Sequence, residues 1–344
     1  MKPTGCHRLA VSFVMAGIIV MTTAATVGHA QQELTEVQEQ EIMSLVNIVR
    51  AALQGQITAT DEPFGWANDF LKSGDQTTFV PFTLLLDPST VSTSTVAAYI
   101  FVKPQSVAAA EPAADAAEQE LPESVFEDAF HVDLGEQTAD GVYAIRRGFY
   151  APGGDYDVYI ALSDSGVPDG TEATTMMLQK AVSVPNLWSD ELATSTVIQA
   201  ASIDQLTAPP PPDQLLANPY TLGNMRIVPK SDHEYLGSDE LSLLFLVYNA
   251  GVTASGLPDV NIAYTFNRRG PDGTEFFNRT NPQVFNEQTL PPGFDLALGH
   301  QLVAGQAIPL SGFPEADYLL EINITDNTNG AEILLEVDFS VMAS

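Results

Sequence analysis

The segment ADYLLEINITDNTNGAEILLEVDFSV, residues 316–341, decides the fold class. Apolar side chains occupy alternate positions from 317 to 325 and again from 332 to 341. Such alternation is typical of strands that bury one face in an antiparallel sheet. Between the two runs, residues 326–330 (DNTNG) supply turn residues that tolerate positive φ. The segment therefore predicts a β-hairpin. Its predicted buried residues are Tyr318, Leu320, Ile322, Ile324, Ile333, Leu335, Val337, Phe339 and Val341.

Further strands are predicted upstream of this hairpin. Residues 259–267 and residues 155–164 (DYDVYIALSD) alternate in the same way. Residues 241–248 (LSLLFLVY) are apolar on both faces, as expected of a central strand. Short strands bounded by Gly- and Pro-containing turns predict an all-β fold. The remaining predicted strands are 77–86, 96–102, 142–145 and 174–184.

The two halves of the chain repeat each other. Residues 155–164 align without gaps with residues 317–326, and both are followed by a glycine-containing turn and a partner strand. The strand at 79–86 corresponds in character to 241–248, and the strand at 96–102 corresponds to 260–266. The repeated order predicts two tandem immunoglobulin-like β-sandwiches.

An Asp-Tyr pair begins the penultimate strand of each half, at Tyr156 and at Tyr318. A tyrosine in this place resembles the tyrosine corner of immunoglobulin-like sandwiches. We therefore expect Tyr156 and Tyr318 to be structural residues, whose hydroxyl groups bond to nearby backbone.

An amphipathic helix is predicted near the N-terminus, within residues 31–55. Residues 33–54 place Leu34, Val37, Ile42, Leu45, Val49 and Leu53 on one stripe, and Gly55 ends the pattern. The stripe predicts a helix that packs on the following domain. A short coiled-coil contact is the alternative, over barely three heptads.

Composition divides the rest of the chain. Four consecutive prolines, Pro209–Pro212, predict an extended linker at 208–213 between a first domain at 56–207 and a second at 214–344. Within the first domain, residues 104–125 are rich in Ala, Glu and Pro, and they lack the large apolar side chains that build a core. An acidic, mobile loop is predicted there.

Residues 1–30 have the pattern of a secretory signal peptide. A short basic start precedes an apolar run that is too short to span a bilayer, and Gly28 and Ala30 predict cleavage before Gln31. An uncleaved anchor is the alternative. Cys6 precedes the apolar run, so it is not the acylated cysteine of a lipoprotein. We expect an exported protein, periplasmic or extracellular, without stable membrane insertion after cleavage.

Charge and cysteine content exclude several classes of protein. The 344 residues include 44 acidic and 13 basic side chains, for a net charge of −31. This balance argues against nucleic acid as a partner and against an anionic membrane surface. A single cysteine excludes a disulfide framework and zinc sites of the multi-cysteine type.

Catalytic and ligand-binding motifs do not stand out. The sequence has no Gly-x-Ser-x-Gly elbow, no Walker loop and no Gly-x-Gly-x-x-Gly run. His131, His233 and His300 are far apart in the chain, and residues 326–330 resemble a calcium loop without its later glutamate. We therefore predict no catalytic residue, no cofactor and no metal site.

Four aromatic residues are candidates for exposed contacts: Trp66, Trp188, Phe276 and Phe277. The two tryptophans lie outside the alternating strands, and Phe276 and Phe277 follow a turn. Such side chains stack on a sugar or bind a partner, or else they cap the ends of a sandwich.

Residues 152–198 (PGGDYDVYIALSD…VSVPNLWSDELATSTVI) resemble the β-sandwich region of exported bacterial proteins that carry a von Willebrand factor A-type domain. The module that follows this region resembles residues 220–250 and 316–341 of this chain. The A-type domain itself is absent, because no Asp-x-Ser-x-Ser run occurs. Residues 65–69 (GWAND) also match four of five positions of the GWxTD motif of other exported bacterial proteins.

These features predict a non-enzymatic interaction or structural module of the cell envelope. Its expected partner is another envelope protein, bound through sandwich loops or an edge strand. A carbohydrate-binding accessory protein is one alternative, and it requires aromatic side chains aligned on one face. An unrecognised hydrolase is another, and it requires a deep pocket with paired carboxylates or a histidine of perturbed pKa. The sequence leaves the oligomeric state open.

Overall fold

A computed structural model describes residues 34–57, 62–105, 123–168, 170–271 and 273–343. The predicted signal peptide at 1–30 and residues 106–122 of the predicted acidic loop lie outside the described residues. Within them, one α-helix, α1 (Glu36–Leu53), precedes twenty β-strands. The all-β prediction is confirmed. Short 3-10 turns occur at Pro88–Thr90, Pro212–Gln214, Leu296–Leu298 and Leu310–Gly312.

The first sandwich consists of two antiparallel four-stranded sheets. In one sheet, β3 pairs with β1 and β2 along one edge and with β6 along the other. The second sheet has the order β5-β4-β7-β8. The strands of the first sandwich are β1 (Gly65–Asn68), β2 (Leu71–Lys72), β3 (Thr78–Leu86), β4 (Thr95–Pro104), β5 (Phe126–Asp133), β6 (Tyr143–Ala151), β7 (Gly154–Asp164) and β8 (Thr175–Val184).

The second sandwich also consists of two sheets, each of six strands, and its β13–β20 pair is parallel. One sheet has the order β11-β12-β10-β14-β18, with β9 also on β14, and the other has the order β13-β20-β19-β15-β16, with β17 also on β15. Its strands are β9 (Ala193–Thr194), β10 (Ile198–Gln205), β11 (Thr221–Leu222), β12 (Met225–Pro229), β13 (Glu234–Leu236), β14 (Glu240–Tyr248), β15 (Val260–Gly270), β16 (Gly273–Arg279), β17 (Gln283–Phe285), β18 (Leu302–Pro309), β19 (Ala316–Asp326) and β20 (Ala331–Met342).

The predicted internal repeat is visible in the strand pairing. β4 pairs with β5 and β7, and β15 pairs with β16 and β19. β3 pairs with β6 as β14 pairs with β18. The predicted terminal hairpin is formed by β19 and β20, with Asp326 opposite Ala331 at the turn. Each half is therefore an immunoglobulin-like sandwich with its own core.

The predicted domain boundary at 208–213 is wrong. β10, which precedes the proline run, pairs with β14 and β12 and so belongs to the second sandwich. Prolines cannot donate to a strand ladder, and here they form a loop within one sheet rather than a linker between domains. The chain crosses between the sandwiches at residues 185–192, after β8.

The helix α1 packs on the outer face of the β5-β4-β7-β8 sheet. Ile42, Leu45 and Val49 are buried against a patch that includes Tyr99 and Tyr159. Packing on the following domain, rather than a coiled coil, therefore covers the predicted stripe. Leu34 and Val37, at the N-terminal end of the stripe, stay exposed.

A polar clamp holds α1 in place. The Glu41 carboxylate accepts hydrogen bonds from the Ser165 hydroxyl at 2.7 Å and from the Gly166 amide at 3.0 Å. His131 Nε2 lies 2.8 Å from the same carboxylate. Burial raises the pKa of Glu41, but these hydrogen bonds outweigh it and leave the pKa below its ordinary value.

Tyr156 and Tyr318 occupy equivalent places in the two sandwiches. The Tyr156 hydroxyl donates to the Pro152 carbonyl at 2.9 Å, and the Tyr318 hydroxyl donates to the Pro314 carbonyl at 2.7 Å. A bond from a tyrosine hydroxyl to backbone a few residues upstream defines a tyrosine corner. It fixes the turn that precedes β7 and β19.

Replacing Tyr318 by phenylalanine should lower the free energy of unfolding by about 1 kcal/mol, since one buried hydrogen bond is lost and a carbonyl is left unpaired. Urea denaturation of Y318F measures the loss. Tyr143, whose hydroxyl forms no hydrogen bond to a described residue, provides the control Y143F. Equal stability of Y318F and Y143F would contradict the structural role of the corner.

Replacing Leu45 by alanine should lower the free energy of unfolding by about 2–5 kcal/mol, because Leu45 is 1% exposed beneath α1. Met43 on the same helix is 44% exposed, and M43A should change the stability by about 0.5 kcal/mol or less. Denaturant titrations of the two variants compare them directly. A helix that stays undocked in solution would give the two variants the same stability.

Candidate functional site

A cleft of about 330 Å³ lies in the second sandwich, where β13 runs parallel to the end of β20. In this cleft His233 lies beside the carboxylates of Asp232, Glu234, Asp317 and Asp338. The backbone of His233 is in the left-handed region, with φ of 54°. Burial lowers the pKa of His233, and the carboxylates of Asp232 and Asp69 oppose that shift. The residues lining the cleft are Asp232, His233, Glu234, Arg269, Asp317, Tyr318, Asp338, Phe339 and Ser340.

The carboxylates of this cleft are bound to structural partners. Asp317 accepts a hydrogen bond from the Ser340 hydroxyl at 2.6 Å, and Asp338 accepts one from Arg269 Nε at 3.0 Å. Asp232 pairs with Lys230 Nζ at 2.6 Å. The Ser340 hydroxyl is bonded to Asp317 and not to His233, so a serine–histidine pair is not formed in this cleft.

The three predicted histidines do not come together. His131 contacts Glu41 on α1, and His300 Nδ1 accepts a hydrogen bond from the Asp295 amide at 3.0 Å. Over the described ranges, no group of three or more His, Cys, Asp or Glu side chains is placed to hold a metal ion.

The turn that resembles a calcium loop is held by protein groups. Asp326 is fully buried and accepts hydrogen bonds from the Gly251 amide at 2.7 Å and from the Thr328 hydroxyl at 2.6 Å. Asp164 in the first sandwich occupies the aligned position and accepts from the Ser92 hydroxyl at 2.6 Å. Each aspartate ties the end of its strand to the loop between two neighbouring strands.

Two of the four candidate aromatic residues are half-buried and pack against the cores. Trp66 stacks on Phe82 with ring centroids 4.5 Å apart, and its Nε1 donates to Asn68 at 2.8 Å. Phe277 packs on Phe313 in the second core. Exposed contacts for Trp66 and Phe277 are therefore wrong, because β1 and β16 turn these side chains inward.

Trp188 and Phe276 are the two that stay exposed, at 40% and 62%. Trp188 lies in the crossing segment at 185–192, where its Nε1 donates to the Thr77 carbonyl at 2.9 Å and Lys72 Nζ lies 4.4 Å from the ring centroid. Trp188 therefore joins the crossing segment to the first sandwich. Phe276 extends from β16 in the second sandwich.

A seam that sequence reasoning missed joins the two sandwiches. Residues Glu36–Ser344 form one compact unit, and the outer face of β14 packs against Leu71 and Tyr220. Hydrogen bonds cross the seam from the Lys72 amide to the Tyr248 hydroxyl at 3.1 Å and from the Lys72 ammonium to Asn249 Oδ1 at 2.7 Å. The two sandwiches therefore share an apolar interface with specific polar contacts.

Asp69 lies half-buried at this seam. Its carboxylate accepts a hydrogen bond from the Thr196 hydroxyl at 2.8 Å. Burial raises the pKa of Asp69 above its ordinary value of 3.8, and interactions with Thr196, Tyr220 and His233 offset only part of the shift. In a sequence with 44 acidic residues, no local pattern distinguishes this carboxyl group from the others.

A raised pKa in the folded state makes the contribution of Asp69 to stability largest below the unfolded value of 3.8, and that contribution is lost as the pH rises through the folded pKa. The free energy of unfolding of the natural protein, relative to D69N, should therefore fall as the pH is raised from about 4 to about 8. Urea titrations at several pH values measure this difference. D190N, at an exposed aspartate, is the control. If the free energies of unfolding of D69N and of the natural protein changed equally with pH, the expectation would be contradicted.

The strand β16 forms one edge of the β13-β20-β19-β15-β16 sheet. Among the described residues it pairs only with β15, so its other side presents unpaired backbone groups. Six of its seven residues are exposed, and Phe276 is the large apolar side chain among them. An exposed edge of this kind is a template for another strand.

No family model matches the chain, and no curated protein matches it. Among solved structures, the Salmonella alpha-2-macroglobulin reacted with methylamine has 14% identity and a TM-score of 0.20, over 83% of this chain and 17% of that one. The trypsin-activated Escherichia coli alpha-2-macroglobulin has 11% identity and a TM-score of 0.22, over 82% and 17%. This chain thus spans about a sixth of their length. Such scores carry no argument about function, and the resemblances stated from the sequence stay predictions.

None of the helices in the part of the chain that the structure describes has the length and apolar character needed to cross a membrane.

Proposed function

We propose that the protein is an exported, non-enzymatic interaction module that binds another envelope protein by strand addition to β16. One observation carries the proposal: an edge strand with a free backbone side carries a phenylalanine that is 62% exposed. In strand addition, backbone hydrogen bonds supply affinity and exposed side chains supply specificity.

The two-sandwich body suits a binding role. The seam between the sandwiches is packed and hydrogen-bonded, so the edge strand is presented on a firm scaffold. Phe277 anchors β16 to the core beside Phe313, while Phe276 next to it extends into solvent. The anchor and the exposed contact are therefore adjacent, at the point where the register of β16 on β15 shifts.

The alternatives receive less support from the geometry. A carbohydrate-binding face needs aligned aromatic side chains, but Trp66 and Phe277 pack in two different cores. A hydrolase needs a free acid–base pair, but the carboxylates beside His233 are bound to Ser340, Arg269 and Lys230.

Replacing Phe276 by serine should abolish or strongly reduce capture of an envelope partner by the chain 31–344 in a pull-down from envelope extract. Leu298→Ser is the matched control, since Leu298 is 74% exposed and lies outside β16. Point variants are preferable to removal of α1, which would uncover the apolar patch beneath it.

Hydrogen exchange supplies a second readout for the captured complex. Amides of residues 273–279 should exchange more slowly in the complex than in the free protein, because strand addition pairs their free backbone groups. Equal capture by F276S and the natural protein, with unchanged exchange across β16, would overturn the proposal.

A further inference from the structure

A groove of about 450 Å³ runs between the two sandwiches. One wall is the edge strand β6 of the first sandwich, and the other is the β11–β12 hairpin of the second with the segment that precedes it. Its volume is in the range of small-molecule sites. Three of the 13 basic residues of the chain border it: Arg146, Arg147 and Arg226.

Arg146 lacks a counter-charge in this groove. It forms no ion pair and no hydrogen bond with any described residue, and its Nε atom is buried without a partner. A partly buried guanidinium in this state has lost water without gaining a replacement. Burial lowers the pKa of Arg146, and the neighbouring charge of Arg226 lowers it further, against the opposing effect of Tyr220.

Arg226 is the second positive group. Its Nη2 and Nε donate to Asp204 at 2.7 Å and 3.3 Å, and its Nη1 forms no hydrogen bond with a described residue. The charge of Arg226 acts on Arg146 across the groove, and an anion held there would offset the charge of Arg146, whereas Arg226 already pairs with Asp204. Two guanidinium groups that share a groove are unexpected in a chain of net charge −31, where carboxylates are abundant.

Arg147 also has a buried Nε atom without a hydrogen-bond partner, but unlike Arg146 it has a carboxylate and an aromatic ring beside it. Its guanidinium lies 3.9 Å from the centroid of the Phe130 ring, and the Asp128 carboxylate acts on it electrostatically. Adjacent residues of a strand point to opposite faces, so Arg146 and Arg147 diverge on β6.

We propose that Arg146 and Arg226 bind one oxyanion, the carboxylate or phosphate group of a small ligand, in the groove between the sandwiches. The planar fork of a guanidinium matches the paired oxygens of both groups. The net charge of the protein repels anions in general, so binding depends on these two side chains. This site is separate from β16, and it does not rest on strand addition.

Isothermal titration calorimetry of the full chain with succinate and with inorganic phosphate tests the site. Saturable binding of either probe is expected, and the tighter of the two identifies carboxylate or phosphate as the preferred group. Arg146→Gln and Arg226→Gln should each weaken the Kd at least about tenfold, because each removes charge-assisted hydrogen bonds. Arg146→Lys should bind between R146Q and the natural protein, since the charge stays and the fork is lost.

Arg268→Gln is the control for overall charge, because Arg268 is exposed on β15 and does not line the groove. It should bind as the natural protein does. R226Q keeps the test valid if R146Q fails to fold, since the Arg226 side chain is 54% exposed. Absence of saturable binding for both probes, or equal binding by R226Q and R268Q, would overturn the proposal.

Discussion

The burial of β14 on both faces is the constraint on which the rest of the structure depends. Leu241, Leu243, Phe245 and Val247 face the core of the second sandwich, while Leu244, Leu246 and Tyr248 face the seam. A strand with two apolar faces must be covered on both. One cover is the opposite sheet of its own sandwich, and the other comes from the first sandwich together with Tyr220 and Ile227. The relative placement of the two halves therefore follows from one eight-residue apolar run.

The outer faces of the two repeats differ in a way that explains α1. In the first sandwich, Ala97, Tyr99, Phe101, Tyr159 and Ala161 form an apolar face, and the helix covers it. On the equivalent strands of the second sandwich, Asn261, Thr265, Glu321 and Asn323 occupy the corresponding face. A polar face needs no cover. A covering helix is therefore present on the first sandwich, whose outer sheet face is apolar.

Strand identity could be read from the sequence because alternation is a local signal. The β19–β20 hairpin, the two-sided β14 and the repeat that pairs Asp164 with Asp326 all follow from neighbouring residues. The proline run was wrongly interpreted as a linker because prolines are found equally in linkers and in loops. Only the pairing of β10 with β14 shows that this run is a loop within one sandwich. Asp69 and Arg146 have neighbours more than sixty positions away in the chain, so no local pattern could predict their surroundings.

The position of the proline run has a practical consequence for dissecting the protein. A fragment that began after Pro212 would lack β9 and β10, which pair with β14 along one side. It would expose a long, flat, apolar strand edge, the feature that drives edge-to-edge aggregation. A cut within residues 185–192 keeps all four sheets whole but uncovers the seam. The two halves therefore occupy separate stretches of the sequence, but each covers an apolar surface of the other at the seam.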